Sequence, residues 1–200
     1  MVGQIKDKFQ LIGTKIQEFE LPNSRGETVN IRKLENKKNV IIVLFRGISW
    51  PYCRWHAARL RKDLEKFEEY DGYLYPIMAD NEKNAKKMEE KYARKYPVFY
   101  DETKEVPKLL NQEIKLIKLG RMPGLLVVDK KGIIQYAYYG KNMHDIPENE
   151  EILDVLKRIN KNWFGRNKKE NTNDFLFFKV SHTWPNRILI FLILIFSIQA

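Results

Sequence analysis

The chain has 200 residues, with 36 Lys and Arg against 26 Asp and Glu for a formal net charge of +10, and it is 44% hydrophobic and 12% aromatic. That apolar fraction excludes wholesale disorder, and the 10 Gly and 8 Pro are too few and too scattered for a collagen-like or low-complexity chain. Cys53 stands alone, which excludes an intrachain disulfide, and His56, His144 and His182 lie too far apart in sequence for a local zinc-ligand pattern.

Residues Met1 to Lys8 have no apolar run behind their basic residues, so they do not read as a secretory signal, and a reducing, cytoplasmic setting is expected. Phe19-Glu20-Leu21 and Thr28 to Ile31 flank the turn residues Asn23-Ser24-Arg25-Gly26 and predict an opening β-hairpin. Asn39 to Phe45 is a continuous, β-branched apolar run, as expected of a central parallel strand buried on both faces. After a turn over Arg46 to Pro51, the residues Cys53, Ala57, Leu60, Leu64 and Phe67 recur at helical spacing through Tyr70.

A second cycle follows, with Tyr73 to Met78 as a strand and Asn81 to Lys95 as a helix whose Ala85, Met88 and Tyr92 share a face. Pro97 to Tyr100 reads as a strand and Val106 to Leu110 as a short helix. Leu125 to Val128 and Ile133 to Tyr138 are joined as a hairpin by Asp129-Lys130-Lys131-Gly132. Glu150 to Ile159 closes the domain as a helix. This order predicts one α/β domain over residues 5–160, with a mixed central sheet, helices on both of its faces and the β-hairpin at its N-terminal end.

The positive charge is spread along the chain, since residues 161–200 hold six Lys and Arg and two Asp and Glu and leave +6 for residues 1–160. The alternating Lys and Glu of Lys83 to Lys95 read as a solvated helix face, and no nucleic-acid partner is expected. A Gly-rich phosphate loop and a dinucleotide fingerprint are both missing from the sequence, so no tightly bound cofactor and no metal are expected.

Three segments together carry a family resemblance: the opening Phe-x-Leu, the apolar strand running into Arg46-Gly-x-x-x-Pro51-Tyr52-Cys53, and Met122-Pro123-Gly-Leu-Leu-Val-Val-Asp-x-x-Gly. They resemble the peroxiredoxin-like alkyl hydroperoxide reductase/thiol-specific antioxidant family from about Gly13 to Ile159. The resemblance implies a thioredoxin fold and an antioxidant thiol oxidoreductase of peroxiredoxin type. In that family the peroxide-attacking cysteine lies three residues after a threonine and seven after a proline, and here those positions hold Cys53, Trp50 and Arg46.

Thioredoxin-like members carry Cys-Pro-x-Cys at this place, where this chain reads Trp50-Pro51-Tyr52-Cys53, so the resolving partner thiol is replaced by an indole. Ser49 is the candidate substitute for the missing threonine hydroxyl. The family's arginine before the late strand aligns with Pro123, which resembles the thioredoxin proline that is typically cis and faces the thiol; Arg46 and Arg121 are candidate stand-ins for that arginine. The resemblance thus nominates Cys53 and Arg46 as catalytic, lined by Ser49, Trp50, Pro51, Tyr52, Arg121 and Pro123.

A helix N-terminus, with Arg46, Arg54 and His56 near it, would favour a thiolate. Such a thiolate would turn over hydroperoxide with an external reductant, a small thiol or a thioredoxin-like protein. The helical phase of Cys53 with Ala57 and Leu60 points instead to a buried small hydrophobe, and His56 reads as a partly exposed surface residue. The alternative is therefore a redox-inactive thioredoxin-fold binding or scaffold module, tethered to a membrane by its tail.

Residues 161–187 read as a polar basic linker, and 188–200 as an apolar tail that spans only about 20 Å as a helix, against a hydrocarbon core of about 30 Å. Three readings of the tail stay open: an extension foreign to the family, a shallow membrane anchor, or a cover for another apolar surface such as a contact in a homo-oligomer.

Overall fold

The structure is a computed structural model that describes residues 7–115 and 120–163. Its organising element is β3 (Asn39–Phe45), in which all seven residues are buried. A strand buried on both faces needs a neighbour along each edge and a layer over each face. β4 (Gly72–Met78) pairs with one edge in parallel, Ile41 opposite Leu74, and β8 (Gly124–Val128) pairs with the other antiparallel, Ile42 opposite Leu126. β5 (Phe99–Tyr100) extends the sheet in parallel beyond β4, and β9 (Ile134–Tyr139) extends it antiparallel beyond β8, giving the order β5-β4-β3-β8-β9. The sheet is mixed, as the sequence predicts.

Alternate residues of β3 feed two cores. Ile41, Val43 and Phe45 pack with Ala57, Leu60 and Phe67 from α1 (Pro51–Lys62) and α2 (Leu64–Glu69), with Ala85 and Met88 from α3 (Glu82–Met88), and with Ile152 and Leu156 from the last helix, α5 (149–163). Val40, Ile42 and Leu44 face Ile16, Phe19, Leu21, Phe99 and Val106. That second face is covered by the N-terminal segment with its hairpin of β1 (Glu20–Pro22) and β2 (Thr28–Asn30), and by the short helix α4 (Glu105–Leu109). Leu60 and Phe67 are fully buried, and each such side chain contributes about 1.5–3 kcal/mol relative to exposure.

Four local features depart from the expected elements. The predicted helix from Pro51 to Tyr70 is broken at Asp63, whose backbone (φ −109°, ψ 15°) leaves the helical region while Leu60, Leu64 and Phe67 keep facing the core. The predicted helix to Lys95 gives way to a π-helical turn over Glu89–Ala93, and Arg94 ends it in the left-handed region at φ 54°. The strand expected from Pro97 begins two residues later, because Pro97 has no N–H to offer and the Val98 N–H is taken by Ser24 Oγ at 2.9 Å. A short antiparallel pair of β6 (Ile114–Lys115) and β7 (Gly120–Arg121) lies outside the elements expected from sequence.

The chain divides into two units at 160/161. The linker expected over 161–187 differs at its start, where 161–163 are helical; the rest of it and the expected tail over 188–200, with His182, lie outside the described residues, as does the start of the domain before residue 7. Among the described residues no helix is long and apolar enough to cross a membrane.

Candidate active site

β3 ends at Phe45, and the chain turns over Arg46-Gly47-Ile48-Ser49-Trp50 into α1. Gly47 takes φ +145°, a conformation that side chains disfavour. The turn is tied by the Trp50 N–H to the Gly47 carbonyl (3.3 Å) and by Arg54, whose Nε and Nη2 donate to the Ile48 and Ser49 carbonyls at 2.6 and 2.8 Å. Pro51 opens α1 at a position where its missing N–H is harmless. Cys53 follows in the first turn, buried at 5% exposure.

The amides that reach the sulfur belong to the strand end. Arg46 N donates to Cys53 Sγ at 3.3 Å and the Gly47 amide faces it too. α1 contributes less than its place in sequence suggests, because the Cys53 N–H is itself bound to the Trp50 carbonyl at 3.1 Å. Burial pushes the Cys53 thiol up; the two backbone amides and the charges of Arg46 and Arg54 pull it back without cancelling that rise. The thiolate expected from sequence is therefore corrected: at this buried position the neutral thiol is favoured, because desolvation outweighs the positive surroundings.

Arg46 is buried at 7% exposure, with Cζ 3.5 Å from the centroid of the Trp50 ring. Burial lowers the Arg46 guanidinium, and Cys53 offsets part of that only when it is ionised. Trp50 is half-buried and packs on the core cluster that includes Cys53, whereas Ser49, Pro51 and Tyr52 are exposed. It is the Ser49 carbonyl that is held, by Arg54. Tyr52 lies against the His144 ring, centroids 5.5 Å apart.

Pro123 precedes β8, and since Gly124 lies opposite Leu44 it stands beside the end of β3. Its preceding bond is trans, because the described residues contain no cis peptide bond; this corrects the thioredoxin-like expectation. The trans peptide presents the Met122 carbonyl to Gln112 Nε2 at 3.0 Å, and the buried Gln112 also reaches the Leu44 and Phe45 carbonyls at 3.3 and 3.4 Å. Arg121 is half-buried and its charge is balanced by Asp101, which caps α4 through the Val106 N–H at 2.8 Å. The structure thus brings Cys53, Arg46 and Trp50 together and sets Arg121 toward another partner.

His56 corrects a third expectation. It is buried, edge-on to Phe45 with centroids 5.7 Å apart, and burial with the nearby Arg59 charge lowers its pKa to about 3, so it is neutral and adds no positive charge. The sequence reading also missed Gln112, Gly47 and Gly120. A turn glycine after a strand end was the legible clue for Gly47, while nothing in the spacing points to the other two.

Residues 12–137 match the AhpC/TSA family, and the chain belongs to that family. Peroxiredoxin Q, chloroplastic, from Triticum aestivum is 28% identical over 149 residues, which make up 74% of this chain and 65% of that protein. Among solved structures, peroxidoxin BcpB from Mycobacterium tuberculosis superposes with a TM-score of 0.65 at 19% identity, covering 74% of this chain and 97% of that one. The reduced 2-Cys peroxiredoxin of Plasmodium vivax does so with 0.65 at 18% identity, covering 74% and 81%. The fold is thioredoxin-like.

Proposed function

We propose that the chain is a single-cysteine thiol peroxidase that reduces hydroperoxides through Cys53. The observation that carries this reading is the placement of the Cys53 sulfur under the Arg46 amide, with the Arg46 guanidinium held at the same turn, in a chain of the AhpC/TSA family. Cys53 as thiolate attacks the terminal oxygen of R–O–O–H. The S–O bond forms as the O–O bond breaks, and the departing alkoxide takes up the proton that the thiol gave, leaving sulfenic acid and alcohol. Arg46, rather than Arg121, supplies the positive charge that the alkoxide needs as it departs. Arg54 holds the 48–49 carbonyls in place, and Trp50, Pro51, Tyr52, Ser49 and Pro123 surround the approach.

With no second cysteine in the sequence, reduction is external. One thiol condenses with the sulfenic acid, releasing water and leaving a mixed disulfide. A second thiol attacks the outer sulfur, returning the Cys53 thiol and a free disulfide. A small thiol or a thioredoxin-like protein fits both steps, and a thiol-rich compartment such as the cytoplasm supplies them. The scaffold reading is not favoured by family membership. The apolar sequence at 188–200 supports, in addition, peripheral membrane attachment or a contact between copies.

The test is hydroperoxide consumption by the full chain with a dithiol reductant, against the Cys53→Ser variant. Turnover above the uncatalysed rate that vanishes in the variant supports the proposal; equal rates for both proteins refute it.

A further inference from the structure

Trp50 occupies the position before α1 where Ser, Thr, Asn or Asp serves a helix best, and it makes no side-chain cap hydrogen bond. Its indole lies instead on the Arg46 guanidinium, with Cζ 3.5 Å from the ring centroid. β7 approaches the same group: Gly120 takes φ +118°, and a methyl group there would lie 3.5 Å from Arg46 Nη2. Trp50 is fixed through its backbone, by its N–H to Gly47 and by its carbonyl, which accepts from the Cys53 and Arg54 amides at 3.1 and 3.3 Å. Arg46 therefore has its amide on the sulfur and its charged end against an aromatic face anchored to the same turn. A planar guanidinium stacks well on indole, and the stack restrains a side chain that would otherwise sample many rotamers.

We infer that Trp50 is a positioning residue: by stacking on the Arg46 guanidinium against the Gly120 backbone, it seats that charge beside the Cys53 sulfur. The indole thereby does work at the position where a cap residue would have served only the helix. The catalytic consequence rests on the function proposed above, but the coupling between Trp50 and Arg46 is measurable without peroxide.

The experiment is the pH profile of Cys53 alkylation by iodoacetamide, read by intact mass on the full chain. It compares the native sequence, Arg46→Gln, Trp50→Leu and the double variant, with Trp50→Phe as the conservative replacement that keeps a π face. In the Trp50 background, Arg46→Gln is expected to move the midpoint upward by about 0.5 pH unit or more, because a neighbouring positive charge is lost. In the Trp50→Leu background the same change is expected to leave the midpoint in place, and Trp50→Phe is expected to restore the dependence on Arg46. Equal effects of Arg46→Gln in both backgrounds, or none in either, overturn the inference. If Trp50→Leu unfolds, the Phe variant decides: loss of the Arg46 effect in a folded Phe protein counts against stacking, and retention supports it. A chain that shows the coupling yet consumes no peroxide loses the proposed function and keeps this inference; one that turns over peroxide without the coupling does the reverse.

Discussion

Two helices start at the carboxyl ends of adjacent parallel strands, and they start differently. α3 is entered through Asn81, whose Oδ1 accepts the Asn84 N–H at 3.0 Å, and it buries Ala85 and Met88. α1 is entered through Trp50, whose side chain makes no cap hydrogen bond, and it buries Cys53 and His56, both titratable, beside Ala57 and Leu60. At α3 the local chemistry serves the helix. At α1 the residue in the cap position lies on the Arg46 guanidinium instead, a placement that serves a thiol and a guanidinium on the function proposed above, and the helix lacks a side-chain cap of the kind that stabilises by about 1 kcal/mol. Breaking a local rule where the fold places its chemistry is what a functional site is expected to do.

Cys53→Ser is expected to abolish sulfenic-acid formation on this chain, whereas Asn81→Ala leaves it intact; intact mass after peroxide exposure reads both. Arg46→Gln is expected to slow the peroxide reaction by about 10²-fold, the usual scale for removing one group aimed at developing negative charge, measured by stopped-flow oxidation.

The buried His56 sets an acid limit. Its pKa of about 3 in the folded chain lies below the ordinary 6.5, so the unfolded chain binds the extra proton first. Stability is then lost as pH falls from about 6.5 toward about 3, at up to about 1.4 kcal/mol per pH unit. A His56→Leu chain should flatten that limb in denaturant titrations at successive pH values, and an unchanged slope would remove His56 as its cause. The smallest effect is structural: Asn81→Ala should cost about 1 kcal/mol in the same titration without moving the peroxide rate.

Much of the fold was legible because burial leaves a plain mark on sequence. The β-branched run of β3 and the turn residues at 129–132 announced a central strand and a late hairpin. The π-helical turn was hidden because Ala85, Met88 and Tyr92 continue in phase past the place where the backbone changes. The break at Asp63 was hidden likewise, since Leu60 and Leu64 face the core on either side of it.

In the site, Cys53 and Arg46 were reached from the motif, but the protonation state was not, because desolvation depends on how closely Trp50 and the core pack over the sulfur. His56 could have been read correctly: it stands three residues after Cys53 and four before Leu60, on the buried stripe. The Gln112 contact to the Met122 carbonyl joins residues ten apart in sequence, and no local pattern encodes it.

The most direct test of the central claim is the rate of sulfenic-acid trapping on the full chain after a low hydroperoxide dose, followed by intact mass across pH and compared with a small free thiol. The account predicts trapping that requires Cys53, climbs with pH as the burial-raised thiol ionises, and exceeds the free thiol at equal ionised fraction. Trapping no faster than the free thiol at any pH would contradict it and leave Cys53 as a packing residue.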